Sequence, residues 1–244
     1  MPENIRGVAF DLDGTLYPNY RLNIRLIPFV LKEGRLLSAF GRARNVIRKE
    51  QEESQKAPSQ SSTSSSRLLN DSPQFPVPDF YKYQAEITAE ILSVNPEQLK
   101  EKIERLIYRG WEPLFKAVKL FKGVIETIDA LKNAGFKTGL MSDFPPERKL
   151  EYLGISGFWD VVQCSEYSGV IKPHPLSFIK LAEAMSMPPE NILYVGNSHS
   201  CDIRGAAGAG MKTAWLKPLL SGKKDPKPDF SFTNYRQLYN FMIH

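Results

Sequence analysis

The chain has 244 residues, of which 42% are hydrophobic and 24% charged, and its formal net charge is +5 at pH 7. This composition is ordinary for a globular protein that buries a sizeable core. The first residues carry no apolar run of the kind that forms a signal peptide, and no segment approaches the roughly 20 apolar residues that span a bilayer. We therefore expect neither secretion nor a membrane partner.

Cysteine usage and charge bear on the compartment and on the partners. The two cysteines, Cys164 and Cys201, fit neither a metal-ligand spacing nor a disulfide framework, so we expect free thiols and a cytoplasmic location. A basic balance favours nucleic acid or an anionic small molecule. Because no nucleic-acid motif accompanies the basic residues, we expect no nucleic-acid partner and a small phosphorylated substrate.

The first predicted element is a buried strand over residues 7–10, which ends just before an acidic turn. Helical periodicity then covers about 20–53, with Gly34 and Gly41 as candidate breaks. Residues 54–79 contain a serine tract and several prolines, which predicts a flexible loop because such sequence buries little apolar surface.

Helical patterns resume over 80–92 and continue to the end of the insertion. A second helix is predicted from Asn95 to about 107, because Asn95 can cap it and Pro96 suits its first turn. A third is predicted over 112–120. Since no strand pattern interrupts residues 18–120, we expect an all-α insertion there.

From Gly123 onward, strand patterns alternate with helical ones. The predicted strands are 137–141, 192–195 and 213–216, and the predicted helices are 124–134, 176–185, 203–208 and 235–242. This alternation predicts an α/β fold with a doubly wound parallel sheet. The expected domains are an α/β core made of 1–17 and 121–244, and the helical insertion 18–120.

Two carboxylates, Asp11 and Asp13, follow the first predicted strand, and Gly14 lets the chain turn away directly after them. In open α/β sheets, ligands bind at the ends of strands. Two carboxylates this close repel each other unless a cation lies between them. The pair therefore indicates a Mg²⁺ site with an aspartate nucleophile, although alone it is equally consistent with an acidic turn.

Three further polar segments follow later in the chain. Ser142 and Asp143 come after one predicted strand, Lys172 lies between prolines, and the segment 196–198 with Asp202 comes after another strand. Singly these are weak signals, because a serine after a strand usually caps a helix and a Lys-Pro pair usually lies in a surface loop. Together with the acidic pair they supply the groups that phosphoryl transfer needs.

In this order, the four motifs resemble those of the haloacid dehalogenase superfamily, specifically its phosphatase-like members with a type 1 helical cap. The residues that carry the resemblance are Asp11-Leu12-Asp13-Gly14-Thr15, Ser142-Asp143, Lys172-Pro173, and Gly196-Asn197-Ser198 with Asp202. It covers the first 17 residues and nearly everything from Gly123 onward. It implies a Rossmann-like core and, for the insertion, a cap that closes over the site.

The resemblance also implies Mg²⁺ as cofactor and a role for each matching residue. Asp11 would attack phosphorus and form an aspartyl-phosphate, while Asp13 would act as general acid and then as base, with its backbone carbonyl on the metal. The expected residues are Asp11, Asp13, Ser142 and Lys172 for catalysis, Leu12, Ser142, Asp143 and Lys172 for phosphate binding, and Asp11, Asp13, Asn197 and Asp202 for metal binding.

One position departs from the family pattern, because Asn197 stands where these proteins usually have aspartate. An asparagine keeps a carbonyl oxygen for Mg²⁺ but removes one negative charge. We therefore expect a working site whose Mg²⁺ affinity is lower by about tenfold, or roughly 1.4 kcal/mol. We expect His174 and His199 to serve the loops, because Mg²⁺ prefers oxygen ligands.

The expected function is that of a Mg²⁺-dependent phosphatase acting on a small phosphorylated metabolite, with Tyr20, Arg21 and Arg25 as candidate substrate contacts. Asp13 disfavours the founding dehalogenase chemistry, since those enzymes lack an aspartate at this position and need no metal. Two alternatives remain open. One is a phosphomutase or phosphonate hydrolase of the same fold, the latter with a lysine such as 32, 49 or 82 in the cap. The other is a non-catalytic binding or regulatory protein.

Overall fold

The computed structural model describes residues 4–56, 73–218, 221–222 and 224–244. The described residues form an α/β fold, as expected. Its strands are β1 (Gly7–Asp11), β2 (Lys137–Ser142), β3 (Val161–Cys164), β4 (Ile192–Gly196), β5 (Lys212–Leu216) and β6 (Phe230–Phe232). Its α-helices are α1 (Asn19–Lys56), α2 (Phe80–Leu92), α3 (Pro96–Ile103), α4 (Val124–Asn133), α5 (Glu147–Leu153), α6 (Pro175–Ala184), α7 (Arg204–Gly208) and α8 (Tyr235–Ile243).

All strands belong to one parallel sheet in the order β3-β2-β1-β4-β5-β6. The strand order reverses between β1 and β4, which lie side by side. Ligands of doubly wound sheets bind in the crevice outside the carboxyl ends of the strands at such a switch point. The ends of β1 and β4, and therefore Asp11 and Asn197, lie at this crevice.

The central strand β1 is buried on both faces of the sheet, which explains its uninterrupted apolar run. Since side chains alternate along a strand, Val8 and Phe10 pack on one face with α4 and α8, whereas Ala9 packs on the other with Phe178 of α6. The core therefore anchors the backbone that carries Asp11.

Within the insertion the described chain is helical, and helices α1 to α3 pack around an apolar cluster that includes Phe40 of α1 and Ile103 of α3. Asp79 caps α2 and Asn95 caps α3, since each side chain accepts from backbone N–H groups of the first turn. The predicted helix at 112–120 is instead a 3₁₀ turn over Glu112–Ala117. That the helical insertion (residues 18–120) acts as a cap stays a prediction.

Several predicted boundaries differ from the structure. The long helix α1 runs through Gly41 without a break, and its irregularity lies at Glu33, next to the other candidate break at Gly34. The edge strands β3 and β6 and the helix α5 were not predicted, because β3 and β6 are short and β3 is only partly buried. Of the predicted flexible loop at 54–79, residues 57–72 lie outside the described residues. None of the helices in the described part of the chain combines the length and apolar composition that crossing a membrane requires.

Helix α7 lies against α6 because Gly205 has no side chain. A Cβ atom there would lie 2.3 Å from Cε2 of the buried Phe178, whereas the space around Gly208, in the same helix, is open. We expect Gly205→Ala to lower the free energy of unfolding by about 1–3 kcal/mol through overpacking. Urea titration of both variants measures this, with Gly208→Ala as the matched control that keeps wild-type stability. Equal stability of the two variants would contradict this account of α7.

Candidate active site

The ammonium group of Lys172 lies between two buried carboxylates at the switch point. Its Nζ is 2.6 Å from Oδ1 of Asp11 and 2.7 Å from Oδ1 of Asp202. Its third hydrogen bond goes to the hydroxyl of Tyr194, at 3.5 Å. The second oxygen of Asp202 accepts from the backbone N–H of Ser198 at 2.9 Å. Lys172 therefore joins the end of β1 to the turn that follows β4.

The single positive charge of Lys172 does not neutralise the negative charges of Asp11 and Asp202. Burial raises the pKa of Asp11, the Asp202 carboxylate raises it further, and Lys172 opposes both, so the pKa of Asp11 is about 7. Burial lowers the pKa of Lys172, but Asp11 and Asp202 outweigh it and hold that pKa well above its ordinary value. Lys172 therefore stays charged, and the cluster retains an excess of negative charge.

Asn197 is connected to the same cluster by the hydroxyl of Thr15. The Thr15 hydroxyl donates to Oδ2 of Asp11 at 2.8 Å and lies 3.2 Å from Oδ1 of Asn197, so the two oxygens converge on one group. Gly14, with φ of +93°, makes room for this approach, since a Cβ atom there would lie 2.4 Å from Nδ2 of Asn197. Only glycine adopts this backbone conformation without strain while leaving that space.

These residues fit Mg²⁺. The excess negative charge and the convergence of a carboxylate oxygen with an amide oxygen suit a hard cation that keeps several waters and takes few protein ligands. Among the described residues, no group of three or more His, Cys, Asp or Glu side chains is arranged around a common metal position. We expect Asp202 to reach a metal through water.

Asp13, two residues after Asp11, is half-buried and has three side-chain partners. Tyr17 donates to one of its oxygens, Ser142 Oγ donates to the other at 3.1 Å, and Lys149 Nζ lies 3.0 and 3.2 Å from the two oxygens. Burial raises the pKa of Asp13, but Lys149 and the hydrogen bond from Tyr17 outweigh it, so the pKa lies below its ordinary value. Asp13 is therefore held ionised in a fixed position.

A cavity of about 300 Å³ opens beside Asp13. Its walls come from the helical insertion on one side and from the loop and helix after β2 on the other. The lining residues that matter here are Asp13, Tyr17, Leu22, Trp111, Phe115 and Lys149.

The three candidate substrate contacts do not line this cavity. Tyr20 is 59% exposed, and Arg25 donates to the backbone carbonyls of Arg21 and Ala117. The side chains of α1 that face the cavity are instead those of Asn19, Leu22, Asn23 and Leu26. Closeness in sequence to Asp13 does not bring Tyr20 to the cavity, because the helix turns it outward, and a substrate contact by these residues stays a prediction.

Asp143 uses its carboxylate in a way that its sequence position did not reveal. One oxygen accepts from Ser165 Oγ at 2.6 Å and from the backbone N–H of Lys172 at 3.0 Å. The other lies 3.1 Å from Arg44 and 3.2 Å from Arg48, both on α1. Burial raises the pKa of Asp143, but Arg44, Lys172 and Arg48 hold it well below its ordinary value.

The side chains of Leu12, His174 and His199 contact the core or neighbouring loops. The Leu12 side chain is wholly buried in the core, so only its backbone can contact a phosphate. His174 caps α6 by accepting from the N–H of Leu176 at 3.2 Å, and His199 bonds the carbonyl of Pro226 at 2.9 Å. Both histidines therefore serve loops, as expected.

Two residues at the site, Tyr17 and Lys149, had no predicted role. Tyr17 follows the acidic motif directly and could have been found as a second polar side chain one helical turn beyond Asp13. No sequence pattern indicated a role for Lys149, because it lies in the charged run Glu147-Arg148-Lys149, which is typical of a solvated helix face. Only packing against the rings of Phe115 and Phe144 brings its ammonium to Asp13.

Comparison with known proteins identifies the family of this chain. The model of the haloacid dehalogenase-like hydrolase family matches residues 5–210. The glyceraldehyde 3-phosphate phosphatase of Methanopyrus kandleri is 29% identical over 254 aligned residues, which cover 96% of this chain and 95% of that protein. The protein of the same name from Pyrococcus furiosus is 36% identical over 106 residues, a match that spans 42% of this chain and only 44% of the relative's length.

The fold has counterparts among solved structures as well. A HAD phosphatase from Thermococcus onnurineus matches with a TM-score of 0.60 and 21% identity over 98% of both chains. Since the family model covers most of the chain, this protein belongs to the haloacid dehalogenase-like hydrolase family. The expected superfamily and the expected class of enzyme, a hydrolase, are confirmed.

The raised pKa of Asp11 predicts a pH-dependent stability. Its folded-state pKa of about 7 exceeds its ordinary value of 3.8, so the wild type loses stability relative to Asp11→Asn as pH rises through that window. In chelator-treated protein, we expect Asp11→Asn to raise the Tm more at about pH 8 than at about pH 5. Asp129→Asn, an exposed change on α4, is the control. If Asp11→Asn changed the Tm equally at both pH values, the excess of negative charge around Asp11 would be refuted.

Proposed function

We propose that this protein is a Mg²⁺-dependent phosphatase that hydrolyses a small phosphorylated metabolite through an aspartyl-phosphate intermediate on Asp11. One observation carries the proposal. At the switch point of the sheet, Lys172 holds one oxygen of Asp11 and Thr15 the other, while Asp13 lies beside the cavity. A carboxylate fixed at both oxygens next to a second, separately held carboxylate suits nucleophilic attack with acid–base assistance.

In the first step, an Asp11 oxygen attacks phosphorus as the bond from phosphorus to the ester oxygen breaks. Asp13 supplies the proton that the leaving oxygen takes up, and it acquires that proton when the substrate dianion, a neighbouring like charge, raises its pKa. Lys172 and Ser142 offset the charge on the phosphoryl oxygens. The product alcohol leaves through the cavity.

In the second step, water attacks the phosphorus of the aspartyl-phosphate. Asp13, now ionised, takes the proton of this water, and Lys149 and Tyr17 hold it in position to do so. The bond between phosphorus and Asp11 breaks, which restores the carboxylate and releases inorganic phosphate. The lowered pKa of Asp13 keeps its carboxylate ionised, as this step requires.

The groups that would hold Mg²⁺ are the Asp11 carboxylate, the backbone carbonyl of Asp13 and the amide oxygen of Asn197, with Asp202 acting through water. Bound there, Mg²⁺ would screen the repulsion between the nucleophile and the phosphate dianion. Asn197 contributes no charge, so the affinity for the metal should be lower than with aspartate at this position.

The size of the cavity supports a small metabolite as the substrate. Its volume of about 300 Å³ lies at the small end of ligand pockets. The relative that aligns over nearly its whole length is named glyceraldehyde 3-phosphate phosphatase, so triose phosphates are the first substrates to test. The free thiols Cys164 and Cys201 support a reducing compartment such as the cytoplasm.

The phosphonate hydrolase alternative requires a cap lysine that forms a Schiff base. Lys32, Lys49 and Lys82 are exposed, and none of them lines the cavity beside Asp13. Among the described residues, Lys149 is the only lysine that lines it, and it belongs to the core and is paired with Asp13. This placement favours the phosphatase.

Hydrolysis of p-nitrophenyl phosphate tests the proposal. We expect turnover that requires Mg²⁺, is abolished by chelator and falls about a thousandfold or more in Asp11→Asn, because the nucleophile is lost. Asp129→Asn controls for a general loss of charge and should retain full activity. Turnover that survives in Asp11→Asn would rule out this mechanism, and a protein that binds phosphate esters without turnover would favour the binding alternative.

Asn197→Asp tests the metal assignment separately. Restoring the carboxylate should lower the Mg²⁺ concentration for half-maximal activity by about tenfold, or roughly 1.4 kcal/mol, because the added charge attracts the cation. Titration of activity with Mg²⁺ measures this, and Asn23→Asp, at the cavity rim, is the control for added charge. An unchanged Mg²⁺ dependence would show that position 197 does not contact the metal.

A further inference from the structure

Arg48, on helix α1 of the helical insertion, contacts two loops of the core at once. Its Nε donates to the backbone carbonyl of Lys172 at 3.0 Å, and its Nη2 donates to Oδ2 of Asp143 at 3.2 Å. These loops carry Ser142 and Lys172, two of the residues that the proposed function places on the phosphate. A single guanidinium thus spans both halves of the phosphate-binding region.

The Asp143 carboxylate extends this connection. Its Oδ1 accepts from the N–H of Lys172 at 3.0 Å and from Ser165 Oγ at 2.6 Å. Lys172 is therefore held at both of its backbone polar groups, the N–H by Asp143 and the carbonyl by Arg48. Fixing these two groups fixes the starting point of the side chain whose ammonium reaches Asp11.

Arg44, one helical turn before Arg48, ties the same region to the insertion in a different way. It forms a buried ion pair with Glu166, its Nη2 lies 3.1 Å from Asp143 Oδ2, and its guanidinium stacks 4.3 Å from the ring centroid of Phe144. Its removal would leave Glu166 buried without a counter-charge, which endangers the fold. Arg48 is more exposed, with 26% of its side chain accessible, and is the better probe.

We propose that Arg48 is a positioning residue through which the helical insertion sets the geometry of the phosphate-binding loops. This proposal rests on the proposed function. Arg48 bonds to the loops, and its effect reaches the phosphate through Ser142 and Lys172. Without it, the Lys172 carbonyl and the Asp143 carboxylate lose a shared donor and keep the bond from the Lys172 N–H to Asp143. The donors to the phosphate then shift relative to Asp11. Small displacements of positioned groups cost large factors in rate.

Kinetics of three variants test this role. Arg48→Met keeps much of the aliphatic stem and removes both donations, so kcat/KM for p-nitrophenyl phosphate should fall by about 10- to 100-fold. The KM and the inhibition constant of inorganic phosphate should both rise. Arg48→Lys can still reach Asp143 but cannot bond both loops, so it should recover part of the loss. Arg42→Met, at an exposed position of the same helix, should match the wild type.

A purely structural role predicts a different result. In that case Arg48→Met would lower the Tm but leave KM and the phosphate inhibition constant within about twofold of wild type when they are measured well below the Tm, and the proposal would be overturned. Hydrogen exchange over 142–144 and 170–172 provides a readout independent of turnover. Faster exchange in Arg48→Met supports the proposal, and unchanged exchange refutes it. This readout still applies if the wild-type protein has no phosphatase activity.

Discussion

The placement of one ammonium group between two buried carboxylates is the constraint on which the site depends. Lys172 keeps Asp11 and Asp202 close together at the switch point of the sheet, and all three of its hydrogen bonds end on buried groups. The arrangement leaves an excess of negative charge, which is why the pKa of Asp11 rises to about 7. Oδ2 of Asp11 and Oδ1 of Asn197 both contact the Thr15 hydroxyl, which brings a carboxylate oxygen and an amide oxygen together at this cluster.

The rest of the molecule serves this cluster in two ways. The sheet core fixes Asp11, because β1 is buried on both faces and its Val8 and Phe10 pack against helices α4 and α8. The helical insertion supplies one wall of the cavity and, through Arg48, contacts the core at Asp143 and at the backbone carbonyl of Lys172. The cavity beside Asp13 is thus lined by both parts of the chain, whereas Asp11, Asp13 and Asp202 all belong to the core.

The sequence predicted the groups that follow strands and missed those that tertiary packing brings in. Asp11 and Asn197 were predictable because their position depends only on where a buried strand ends. Lys149 and Arg48 were not, because each lies in a charged helical segment whose pattern matches a solvated face. The edge strand β3 was missed for a related reason, since partial burial weakens the apolar pattern of a strand. Two partners of the Asp143 carboxylate, Arg44 and Arg48, likewise depend on how the helical insertion packs against the core.

The central claim is that Asp11 becomes covalently phosphorylated during turnover. Rapid acid quench of the wild-type protein with a ³²P-labelled phosphate ester and Mg²⁺, followed by peptide mapping, tests it most directly. The account predicts an acid-stable, hydroxylamine-labile label on the peptide that contains Asp11, formed before steady-state phosphate release. Turnover without any labelled peptide, or a label on a different residue, would contradict it.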